Sequence, residues 1–97
     1  MVLEMAGKTD PGLFKAGVGR AVITPPVGFV IDGPEHGSRV STGILDDLLA
    51  RVIVLESKGT RVVLVSLDVW GLSASVLSSI KLAASAAASV EADSVWV

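Results

Sequence analysis

Nearly everything able to build a hydrophobic core lies between Arg51 and Val97, in RVIVLESKGTRVVLVSLDVWGLSASVLSSIKLAASAAASVEADSVWV. The pattern reads strand, tight turn, strand, helix, strand. Ala50–Glu56 and Arg61–Leu67 are nearly continuous apolar runs, which is how strands read when both sheet faces are covered. Ser57-Lys58-Gly59-Thr60 between them is a hairpin turn, with Gly59 placed to take a positive φ.

Gly71 then breaks the chain, and Ser73 or Ser75 can cap a helix by accepting a hydrogen bond from a first-turn amide. Leu77, Ile80, Ala84 and Ala87, flanked by Val76, Ala83 and Val90, recur at spacings of three and four and form one apolar stripe. Ser78, Ser79, Lys81, Ser85 and Glu91 are left for water. Ala92-Asp93 ends the helix, and Ser94–Val97 begins another strand. A strand, a crossover helix and a further strand pair in parallel with right-handed connection. The fold class is therefore α/β: a mixed sheet of about four strands, a β-hairpin running into a βαβ crossover, and one alanine-rich helix. One helix covers one sheet face only, so the chain reads as an incomplete domain or one with an obligate partner.

Upstream, residues 1–13 hold Gly7, Asp10, Pro11 and Gly12 without periodicity and read as a flexible arm. Phe14–Thr24 partly alternates and stops at Pro25-Pro26, which is a strand with a hard end. Gly17 and Gly19 within it predict a bulge or a close backbone approach. Val27–Gly43 is a long loop, a length typical of functional or disordered segments, and is a candidate binding or entrance segment. Asp46-Asp47 with Leu45, Leu48 and Leu49 predicts a short helical turn.

With 97 residues the chain holds at most one domain. It has no cysteine, so packing alone must hold it together and the redox compartment stays open. A net charge of -2 with eight scattered Lys and Arg gives no basic stripe, which speaks against nucleic-acid binding. The 51% hydrophobic content does not predict a membrane span, since Asp68, Lys81 and Glu91 interrupt every run approaching the roughly 20 apolar residues needed. MVLEMAGKTDPGLFK lacks the charged and apolar regions of a signal peptide, and the compartment is left unassigned.

Asp68 is the residue best placed for chemistry, at the carboxyl end of a strand that enters a crossover, where open α/β sheets bind their ligands. It reads equally as a metal ligand, an acid orienting a metal-bound histidine, a general base, or an acceptor for backbone amides of the following loop. His36, the single histidine, sits with Asp32 and Glu35 in a glycine-rich loop, a poor holder for the three or four ligands of a zinc site. Gly17-Val18-Gly19 opens like a dinucleotide fingerprint, but Val22 occupies the third glycine position and no helix follows. Ser73, Ser75, Ser78 and Ser79 have no partner base and no nucleophile elbow, and read as cap and surface residues. Arg20, Arg39 and Arg51 could each meet a carboxylate or phosphate but are solvated or ion-paired in the ordinary reading, and Trp70 and Trp96 read as packing residues rather than a ligand platform.

Three blocks, AGVGRAVITPPVG at Ala16–Gly28, STGILDDLLARVIVLE at Ser41–Glu56 and TRVVLVSLDVWGL at Thr60–Leu72, resemble in order and spacing the N-terminal portion of the neutral/alkaline non-lysosomal ceramidase family. The resemblance runs from Phe14 to the end of the chain. It implies that residues 14–97 are the N-terminal fragment of a zinc-dependent hydrolytic domain that cleaves the amide bond of N-acylsphingosine to a sphingoid base and a fatty acid. It also implies a Thr-His-Thr-His segment just beyond the strand that begins at Ser94, with the other zinc ligands and the serine nucleophile later still. No catalytic or metal-binding residue of the family therefore falls on this chain, and Asp68 is left as a support of the active-site floor. Two departures bear on substrate preference. Leu45, Asp46 and Asp47 stand where the family commonly has His-Asp-Pro, and the Val30–Gly37 loop replaces a glycine-tyrosine-glycine pattern. The rival expectation is a small non-catalytic α/β module that binds a protein partner through its uncovered sheet face.

Overall fold

The computed structural model describes residues 2–6, 14–31, 37 and 39–97. Five strands form one sheet in the order β1-β2-β3-β4-β5: β1 (Val2–Ala6), β2 (Lys15–Val22), β3 (Leu49–Ser57), β4 (Thr60–Leu67) and β5 (Val95–Trp96). The first four pair antiparallel with their neighbours, and β5 pairs in parallel with β4. Helix α1 (Ala74–Ala88) and a 3-10 turn at Ala92–Ser94 make the crossover. The chain is thus an α/β unit with a mixed sheet and one alanine-rich helix. Within the segment expected to be an arm, Val2–Ala6 is a strand along β2, with Met5 opposite Gly17 and Val2 opposite Arg20. Five residues ending near a Gly-Lys-Thr-Asp-Pro-Gly run are too few to show a strand period.

The hairpin forms where the turn residues place it. Ser57 pairs with Thr60, and Lys58 and Gly59 both take positive φ, 51° and 79°. Two left-handed residues give the backbone twist that matches two right-twisted strands. Gly59 adopts this conformation freely, whereas Lys58 is held there by the pairing on either side.

Glycines 17 and 19 make no bulge. The β2–β3 register runs unbroken from Lys15↔Glu56 to Val22↔Leu49, so every residue of β2 has a partner. The two glycines stand opposite Val54 and Val52 and leave that part of the sheet without side chains. The predicted helical turn at residues 45–49 is likewise absent: Leu45 and Asp46 form a bend, and Leu49 already belongs to β3. Asp47 is engaged instead by Thr24, described below. The long loop is partly ordered by pairing, with a bridge between Val30 and Val40 and hydrogen bonds from Ile31 N to Arg39 O and from Ser41 N to Phe29 O, both 2.9 Å.

At the start of α1, Ser73 rather than Ser75 is the cap, its Oγ accepting from Val76 N at 3.3 Å. Ser89 closes the helix in the left-handed conformation, its N–H bonding Ser85 O. The buried line of the helix is narrower than the sequence stripe and turned from it. Ala88 is fully buried, and Leu77, Ile80, Lys81, Ala84 and Ser85 are half-buried, while Val76, Ala83 and Ala87 are exposed. The cause is position: α1 lies over β4 and β5, at one side of the sheet, so only the side chains facing that edge are enclosed.

The core is correspondingly small. Val52 and Val54 from β3, Val63 from β4, Val95 from β5 and Ala88 from α1 are buried, with Val65, Ala84 and Val90 packed around them. Arg61 fastens its rim. Its Nε and Nη2 both donate to Glu56 Oε2, and its Nη1 donates to Ala88 O at 2.7 Å, joining the hairpin to the last turn of the helix. Arginine suits this because its fork reaches a carboxylate and a helix carbonyl together. Replacing Arg61 with Met keeps the aliphatic stem and removes these bonds. The expected loss is about 1–2 kcal/mol, after allowing for partial exposure, and a melting temperature lower by roughly 5–10 °C. A melting curve unchanged from the wild type would show that the link does not hold the helix to the hairpin.

The other sheet face is open. Register places Val18, Ile53, Leu64 and Trp96 in one row across β2, β3, β4 and β5. Their exposures are 62%, 42%, 39% and 66%, and no element among the described residues lies on them. Burial of β3 and β4 is therefore one-sided, although their sequences read as strands covered on both faces.

Candidate functional site

Three connections meet at one end of the sheet, where β2 and β4 end and β3 begins. Ile23 N donates to Leu48 O at 2.8 Å, continuing the β2–β3 ladder past the strand. Thr24 Oγ1 donates to Asp47 Oδ1 and accepts from Leu48 N, both at 2.8 Å. One hydroxyl thus ties the two ends of the 25–47 loop, and Pro25 follows where no amide is needed for the ladder.

Asp68 sits beside this knot. Its Oδ2 accepts from Leu49 N at 2.9 Å and its own N–H donates to Leu49 O at 3.0 Å, so it satisfies both polar backbone groups of the first β3 residue. Its Oδ1 lies 3.7 Å from Arg51 Nη1, in a solvent-exposed ion pair. From its sequence position Asp68 is expected to accept from amides of the loop that follows it. The amide it holds belongs instead to the strand before it, a partner that only the β3–β4 pairing brings near. Asp68→Ala removes an acceptor from Leu49 N and the partner of Arg51, with an expected cost of about 1 kcal/mol. Asp68→Asn, which still offers an oxygen to Leu49 N, should cost less than half of that. Urea midpoints of the two variants decide it, and equal losses would show that the hydrogen bond is not the stabilising feature.

An apolar cleft of about 540 Å³ opens at the same end, on the helix side of the sheet. Ile23, Val52, Leu67, Leu72, Ile80 and Ala87 contribute to a lining without a polar side chain. It opens between α1, which lies over β4 and β5, and the near end of β3, whose Ala50 and Val52 form part of its wall. Strand alternation puts Arg51, and with it the carboxylate of Asp68, on the opposite, open side. Asp68 and the cleft are therefore neighbours at one sheet end but not parts of one pocket.

The remaining sequence candidates are scattered. Asp32, Glu35 and His36 lie outside the described residues. Among the described residues no three His, Cys, Asp or Glu side chains gather into a metal-holding group. Ser73, Ser75 and Ser79 bond one another or their own helix, as cap and surface residues do. Arg20 stands directly across from Arg51 on the open face, where two like charges in register repel. The tryptophans are not packing residues: Trp70 is 99% exposed and Trp96 projects from the open face, because nothing described covers that side or that end. Thr24 and Asp47 escaped the sequence reading. The only hint was a hydroxyl residue immediately before Pro25-Pro26, which says nothing about a partner 23 residues away.

Compared with known proteins, the chain matches no family model, no curated protein and no solved structure. Among the described residues no helix is long and apolar enough to cross a membrane.

Proposed function

We propose that this chain is the N-terminal part of a ceramidase-like amidohydrolase, an enzyme that hydrolyses the amide bond of N-acylsphingosine with the help of zinc. The supporting observation is where the resembling blocks meet. They occupy β2, β3 and β4, side by side, and their loop-proximal residues Thr24, Asp47, Leu48, Leu49 and Asp68 are bonded to one another at a single end of the sheet. Residues separated by up to 44 positions converge where α/β sheets place their sites. The apolar cleft at that end suits the hydrocarbon part of a lipid amide.

In this reading, as the resemblance implies, the zinc ligands come from other residues of the complete enzyme. Zinc would polarise the carbonyl and activate a nucleophile in the complete enzyme. What this chain's own residues do is structural: Thr24 and Asp47 hold the long loop closed at its base, and Asp68 fixes the start of β3 beneath it. The test is to sequence the encoding DNA past the codon for Val97 and to assay the complete product for zinc content and for hydrolysis of N-acylsphingosine. A frame running into a Thr-His-Thr-His segment, with zinc-dependent release of fatty acid, is the expected result. A stop codon directly after Val97, or a longer product without zinc and without hydrolysis, overturns the reading.

A second reading is favoured by the open face. A small α/β module that docks a protein through the Val18-Ile53-Leu64-Trp96 row would need no ligand set, and an exposed apolar patch of this kind marks an interface.

A further inference from the structure

We draw no further inference here: the strongest candidate, the open sheet face crossed by Val18, Ile53, Leu64 and Trp96, carries nothing beyond the docking reading above, because nothing in the structure shows what covers it.

Discussion

Val63→Asp should abolish the cooperative unfolding transition and most of the far-UV circular dichroism of the folded chain. Val63 is 1% exposed and lies between two other fully buried valines, Val54 opposite it on β3 and Val95 opposite it on β5. It is thus the residue through which the antiparallel and parallel halves of the sheet share a core. A carboxylate there has no cation or donor among its buried neighbours, and leaving a charge unpaired in an apolar interior costs several kcal/mol. Small domains have only about 5–15 kcal/mol of stability in all, and a core with five buried apolar residues among the described ones belongs at the low end. Val63→Ala grades the effect: losing two methyl groups from a closed site should cost about 2 kcal/mol and leave the fold in place. If Val63→Asp unfolds cooperatively with a near-native midpoint, the helix does not enclose this part of the sheet and the core assignment fails.

The double variant Ile53→Lys, Leu64→Glu should do the reverse, changing the accessible apolar surface strongly and stability little. The two residues are cross-strand partners on the open face, so Lys and Glu would stand directly opposite with complementary charge. Both side chains are already about 40% exposed, and the aliphatic stems of Lys and Glu cover the same cross-strand neighbours, so stability should fall by no more than about 1–2 kcal/mol. Removing the centre of the apolar row should reduce binding of a hydrophobic dye roughly threefold or more. A large loss of stability instead would mean that Ile53 and Leu64 are buried in solution. Unchanged dye binding would place the accessible apolar surface elsewhere, in the cleft beside α1, and would remove the reason for the docking reading.

How much of this could be read in advance depends on the range of the interaction involved. The hairpin was legible because Lys58-Gly59 lies between two apolar runs, so its information is local. The helix and its crossover were legible for the same reason, from a capping serine and a spacing of three and four. Of the bulge or close backbone approach expected at Gly17 and Gly19, the bulge is absent because glycine permits an irregularity without requiring one, and eight consecutive partners on β3 leave no extra residue. The tryptophans failed differently: a large apolar side chain is packed only where another layer reaches it. Of the candidate site, Asp68 was found from its place at a strand end, but its bond to Leu49 was not, and Thr24 with Asp47 was missed altogether.

The sequence by itself determined the class of the fold, the hairpin, the single alanine-rich helix and the excess of apolar surface over cover, since these follow from patterns of a few residues and from counting elements. Tertiary structure alone decided which surfaces that excess falls on. Placing α1 over β4 and β5 buries Val63 and Val95, opens the cleft above β3, and turns the far face outward. It also decided that the ends of three separate blocks share one knot of hydrogen bonds. Backbone pairing sets which distant residues become neighbours, and no local pattern in Thr24, Asp47 or Asp68 encodes that meeting.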